Sequence, residues 1–230
     1  MARLARVVAA GVPHHVTQRG NRRQQTFFSD GDYAFYRALL AEGCAKADVE
    51  VWGYCLMPNH VHLILTPRDP DGLRAALGET HRRYSQRINQ REGWRGYLWQ
   101  GRFASVAMDE RHLMTCARYV EMNPVRAKLV ARPEDWPWSS AAAHLTGRSD
   151  GLVKAAPLLN RTPDWRGLLD RDLSQEDYDA IRRGERTGRP LGAEPFLESL
   201  EGALGRSLRP QKRGPKARPP EVGPNSGTLY

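Results

Sequence analysis

Residues 49–66 read VEVWGYCLMPNHVHLILT, two β-rich runs, Val49 to Met57 and His60 to Thr66, interrupted only by Pro58 and Asn59. Proline lacks the donor a sheet ladder needs and Asn tolerates tight turns, so the pair breaks the run and folds it back on itself. The expected result is two neighbouring antiparallel strands.

Working outward, His14 to Arg19 (HHVTQR) lies between Gly11 with Pro13 and Gly20, and reads as a short strand. Asp30 to Lys46 follows Ser29 and carries Tyr33, Phe35, Tyr36, Leu39, Leu40 and Cys44 at helical spacing. Asp71 to Arg91 sets Leu73, Leu77, Tyr84 and Ile88 on one face and Arg74, Arg82, Arg83, Arg87 and Arg91 elsewhere, which predicts a helix with a basic exposed side. Leu98 to Met108 is a further strand. Asp109 to Lys128 is helical in composition, with Leu113, Cys116, Ala117 and Val120 as its buried stripe. Pro124 ends that helix near Asn123 or kinks it there. The order β, α, β, β, α, β, α predicts an α+β, ferredoxin-like split βαβ sandwich around a central antiparallel sheet. This domain is expected over residues 1–147, followed by a linker and small helical extension at 148–205, with a helix from Glu194 to Leu204, and by a basic tail at 206–230.

The chain has 230 residues and 35 Lys plus Arg against 26 Asp plus Glu, a net charge of +9 that suits a polyanionic partner. The excess is local: Arg74 to Arg102 holds seven Arg and two acids, and Arg206 to Arg218 six cations and no acid. Asp164 to Glu185, by contrast, holds seven acids and four Arg. Of the cations 30 are Arg, a bias that a GC-rich genome also produces. No run reaches the roughly 18 apolar residues of a membrane helix, and the arginines at positions 3 and 6 interrupt the first stretch, which has no secretory pattern. Cys44, Cys55 and Cys116 are widely spaced and form no CxxC pair, which argues against a disulfide framework or a cysteine zinc site. The expected location is the cytoplasm.

The sharpest local motif is His60-Val61-His62. In a strand, residues i and i+2 face the same way, so two imidazoles lie side by side as a divalent-metal half-site. Asn123 follows Tyr119 by four residues, which places an amide and a phenol on one helix face. Spacing alone leaves two readings open: a third ligand beside a reactive phenol, or a core tyrosine and a helix C-cap before Pro124.

The strings GVPHHVTQRGNRRQQTFF (11–28), WGYCLMPNHVHLILTP (52–67), LWQGRFAS (98–105) and RYVEMNPVRAKLV (118–130), followed by WPWSS, resemble the single-tyrosine HUH transposase superfamily. The similarity runs in consistent order over about residues 8–145 and is greatest to the IS200-like, REP-associated tyrosine transposase branch. This resemblance implies a nicking and joining enzyme for single-stranded DNA with palindromic hairpins. It implies that His60, His62 and Asn123 hold Mg2+ or Mn2+, and that Tyr119 is the nucleophile of a 5′-phosphotyrosine intermediate. Family members commonly carry Gln where this chain has the shorter Asn123.

A tyrosine with a pKa of about 10 is a weak nucleophile until a cationic site stabilises its phenolate. Arg19, Arg22, Arg23, Arg102 and Arg126 are candidate phosphate ligands, with solvated or carboxylate-paired charges as the alternative. His15 is left outside the catalytic set. Trp52, Trp94, Trp99, Trp136 and Trp138 are either base-stacking platforms or core residues. Monomer and homodimer remain open, and so does a competing function class, a DNA-binding protein of the same fold without catalysis.

Overall fold

The computed structural model describes residues 6–209. Four strands, β1 (His14–Arg19), β2 (Val49–Met57), β3 (His60–Pro67) and β4 (Ala104–Ala107), form one sheet in the order β2-β3-β1-β4. Every neighbouring pair is antiparallel. That order and the helices α1 (Asp30–Lys46) and α2 (Gly72–Glu92) make the expected ferredoxin-like split βαβ arrangement.

Alternation along the strands divides the core in two. Val16, Tyr54, Leu56, Val61, Leu63 and Leu65 face α1 and α2, whose Tyr36, Leu40, Leu73, Leu77 and Tyr84 close that layer. The opposite face carries Cys55, Met57 and Ile64 and packs on α3 (Glu110–Glu121). His15, His60 and His62 belong to this second face.

Local chemistry explains the element ends. Ser29 makes no side-chain cap on α1. Asp32 in the first turn instead ties down the preceding chain, accepting from the Phe28 amide at 2.9 Å while pairing with Arg91 of α2. Asp109 caps α3 through the His112 amide at 2.9 Å. The helix stops at Glu121, and the separate turn α4 (Asn123–Arg126) begins with Pro124 in its first positions, where its missing N–H costs no helical bond. The strand expected over 98–108 is confined to β4. Gly101 at φ 81° turns the chain away, and the preceding residues join β1 only through the Gly20–Trp99 bridge and the bond from the Gln100 amide to the Arg19 carbonyl.

Beyond α4 the chain stays helical, including the segment 148–205 expected as a linker and small helical extension. Helices α5 (Ala141–Thr146), α6 (Ala156–Leu159), α7 (Trp165–Asp170) and α8 (Gln175–Thr187) follow, and Leu158, Trp165, Leu168, Leu169 and Ile181 join the α3 core. A buried carboxylate ties them together. Glu121 Oε1 accepts from Ser140 Oγ and His144 Nδ1, each at 2.6 Å, and Oε2 accepts from Trp165 Nε1 at 2.8 Å. The expected helix Glu194–Leu204 is α9. Residues 206–209 of the expected basic tail include Arg209, paired with Glu194 and Glu198; the rest of that tail lies outside the described residues. Among the described residues no helix is long and apolar enough to cross a membrane.

Candidate functional site

The β2–β3 turn and the loop after β1 are laced together. Gly20 donates to the Asn59 carbonyl at 2.8 Å, Asn59 Nδ2 donates to the Arg23 carbonyl at 3.0 Å, and Thr26 donates to the Pro58 carbonyl at 2.8 Å. A Cβ on Gly20 would lie 2.2 Å from the Gln24 carbonyl oxygen, so only glycine allows this approach. Arg22 and Arg23 take left-handed backbone angles, φ 52° and 62°, that bulky residues rarely adopt.

Register then builds the site. Thr17 pairs with His62 and Arg19 with His60 on the β1 side, while Cys55 and Met57 pair with them on the β2 side. His15, opposite Ile64, is the diagonal neighbour of His62. Its ring stacks on His62 with centroids 5.2 Å apart, and His15 Nε2 shares a 2.9 Å hydrogen bond with His62 Nδ1. The His60 and His62 rings meet edge to face at 4.9 Å. His60 Nδ1 donates to Asn59 Oδ1 at 2.6 Å, which fixes the tautomer with a bare Nε2, the arrangement found in metal-bound histidines.

Burial keeps these imidazoles neutral. His15 and His60 are each pulled down to about 3, His15 by burial and His60 by burial assisted by Arg19 and Arg126. Burial lowers His62 well below its ordinary value, and the neighbouring His60 and His15 add to this. Neutral imidazole is the ligating form. His62 Nε2 is buried without a hydrogen-bond partner, and the bare Nε2 of His60 beside it is a lone pair that fits a cation.

Tyr119 projects from α3 over this face. Its ring is 5.6 Å from His62 and 6.2 Å from His15, both edge to face. Arg126 lies over the ring at 4.0 Å, and 5.2 Å from the Tyr178 ring of α8. Burial, then Glu185, raises the Tyr119 phenol above its ordinary value, while Arg126 opposes them. Asn123 is buried at the start of α4, and its side chain makes no hydrogen bond to either histidine among the described residues.

A cavity of about 460 Å³ opens beside the histidines. Of the sequence-based arginine candidates, Arg19, Arg23 and Arg102 line it, Arg126 stacks on Tyr119, and Arg22 stands outside. Helix α8 adds Arg182, Glu185 and Arg186, which sequence reading did not single out. None of the five lining guanidiniums makes an ion pair among the described residues, so their charge faces the cavity. Of the tryptophans, Trp52 and Trp99 are buried, and Trp94 is the half-exposed one, edge-on to Phe28.

A split βαβ sheet presenting an HUH histidine pair beneath a helix-borne tyrosine defines a class of α+β proteins built around that one face. The sequence model described as "Transposase IS200 like" matches residues 10–123, and the chain belongs to this family. It is 23% identical over 116 residues to a Haemophilus influenzae relative that bears the name "Putative REP-associated tyrosine transposase", covering 46% of this chain and 66% of that one. Identity is 24% over 121 residues to the REP-associated tyrosine transposase of Escherichia coli K12, covering 52% and 70%. Among solved structures, a REP-associated tyrosine transposase bound to a REP hairpin shares the fold, with a TM-score of 0.53, 23% identity, and coverage of 76% of this chain and 96% of that one.

Proposed function

We propose that the protein cleaves and rejoins hairpin-containing single-stranded DNA through Tyr119, as a transposase of the REP-associated kind. The carrying observation is the placement of the Tyr119 ring 5.6 Å from His62, under the Arg126 guanidinium and next to the arginine-lined cavity. Unpaired guanidiniums around a cavity with neutral imidazoles suit a phosphodiester rather than a small neutral substrate.

In this reading Tyr119 Oη attacks the scissile phosphorus, the P–O3′ bond breaks, and the 3′ oxygen leaves and takes up a proton. The product is a 5′-phosphotyrosine and a free 3′-OH. A second 3′-OH then attacks the same phosphorus and the phenol departs, so the ester energy is conserved without a nucleotide cofactor. Arg126 holds the phenolate through its charge over the ring, and Arg19, Arg23 and Arg102 orient the phosphate chain.

His60, His62 and Asn123 would hold Mg2+ or Mn2+. When bound, the cation supplies Lewis acidity to a non-bridging phosphate oxygen. The bare His60 Nε2 set by the Asn59 hydrogen bond, and the neutral, buried His62 beside it, support that assignment. The relative solved with a REP hairpin supports hairpin DNA as the partner class. The test is cleavage of a 5′-labelled single strand carrying a hairpin, with Mn2+ and with EDTA. Metal-dependent product supports the reading, while binding without any cleavage would place the protein among the non-catalytic DNA binders of this fold.

A further inference from the structure

The HUH pair and Asn123 form a wholly neutral ligand set. Hard divalent cations such as Mg2+ and Mn2+ prefer oxygen ligands and draw most of their affinity from carboxylates. The matched family segment, 10–123, brings no carboxylate into ligating range of His62 among the described residues. Helix α8, beyond that segment, does.

Glu185 Oε1 lies 3.7 Å from His62 Nδ1 and 3.9 Å from His15 Nε2, and the two nitrogens are 2.9 Å apart. Adjacent ligand atoms on an octahedral ion with bonds of about 2.1 Å are roughly 3 Å apart. The imidazole pair already has that spacing, and the carboxylate is less than roughly 1 Å beyond it, within reach of a side-chain rotation.

The alternative is a structural role for Glu185, and it leaves the carboxylate unexplained. Its Oε1 is buried with no hydrogen-bond partner, a costly state for an acid. Arg19, Arg182 and Arg186 line the same cavity, yet among the described residues the only nitrogens within 4 Å of the Glu185 carboxylate belong to the two neutral imidazoles. A single cation, displacing the proton that the two facing nitrogens share, would satisfy the carboxylate and be held by both nitrogens.

We propose that Glu185 is an anionic ligand of the divalent cation, joining His62 and His15, so that the C-terminal extension completes the metal site. This rests on the reading that a cation binds at His62. Helix α8 then becomes part of the catalytic unit, and cleavage by a chain ending before it would lack that ligand.

The experiment is a Mn2+ titration of the full chain, followed by EPR of the free ion and by the Mn2+-induced rise in melting temperature, for wild type, Glu185→Gln, His15→Gln and His62→Ala. Expected are a weakening of Mn2+ affinity by tenfold or more in Glu185→Gln and in His15→Gln, loss of the melting shift in both, and a metal-free Glu185→Gln protein that melts no lower than wild type. Wild-type affinity in Glu185→Gln, with binding abolished in His62→Ala, would overturn the role of Glu185 and leave the metal-dependent reading intact. No Mn2+ uptake by wild type would overturn both.

Discussion

The Arg126 guanidinium sits 4.0 Å above the centre of the Tyr119 ring. A cation on a ring face is attracted to the π system and more strongly to a phenolate, so this contact favours the nucleophilic form of a phenol that burial otherwise opposes. Replacing Arg126 by Gln should lower the rate of covalent adduct formation about 10²-fold, the usual loss when one preorganised charge donor is removed. The rising limb of the pH–rate profile should move to higher pH, because the phenol loses the group that opposes its upward shift. An unchanged profile would assign Arg126 to packing alone.

Helix α8 predicts a salt dependence. Arg182 and Arg186 line the cavity and have no ion-pair partner among the described residues. Each phosphate neutralised on a single strand contributes about 0.7 to the slope of log K against log salt. The double substitution Arg182→Ala and Arg186→Ala should therefore reduce that slope by roughly 1.4, measured by fluorescence anisotropy with a labelled single strand. A slope equal to wild type would remove α8 from the DNA path.

The Glu121 network predicts where stability is concentrated. Its carboxylate accepts from Ser140, His144 and Trp165, joining α3 to α5 and α7, and it is 1% exposed. Glu121→Ala strands three buried donors and should cost about 3–5 kcal/mol in urea unfolding, as breaking a buried polar pair does. Glu121→Gln keeps acceptor oxygen on one arm and should cost less. Equal small effects for both would contradict the network's role in docking the C-terminal helices.

Two histidines outside the site predict acid sensitivity. His14 donates from Nδ1 to the Val12 carbonyl at 2.7 Å, and burial pulls it down to about 4. His81, bonded to the Tyr36 hydroxyl at 2.9 Å, is pulled by burial to about 3. Unfolded imidazoles titrate near 6.5. Between 6.5 and those lowered values the unfolded chain binds more protons, so stability falls as pH falls. The contribution is whole above 6.5 and declines below it by up to about 1.4 kcal/mol per pH unit for each histidine. Melting temperatures from pH 7.5 to 4.5 test this, and His14→Gln should flatten the slope.

The sheet was legible because its signals are local. Two β-rich runs around Pro58 and Asn59 specify the β2–β3 hairpin, and period-2 alternation alone puts His60 and His62 on one face. Tyr119 and Asn123 were legible by their four-residue spacing, but not their separation: α3 stops at Glu121 and Asn123 opens the distinct turn α4, so the two do not share one continuous helix face. Glu185 was not. It reaches His15 and His62 only through the tertiary docking of α8, and within an acidic stretch it carries no motif. The shortening of β4 was hidden for a related reason, since the positive φ of Gly101 is a backbone state that the strand-like composition around it does not announce.

The central claim is that Tyr119 forms the covalent bond. Wild-type protein incubated with Mn2+ and a labelled hairpin-containing single strand should give a protein–DNA adduct that survives a denaturing gel and disappears on protease digestion. Tyr119→Phe should bind the same strand with affinity within about tenfold of wild type, since one lost hydroxyl contact is worth roughly 0.5–1.5 kcal/mol at most, and should give no adduct. An adduct of wild-type yield from Tyr119→Phe would contradict the account.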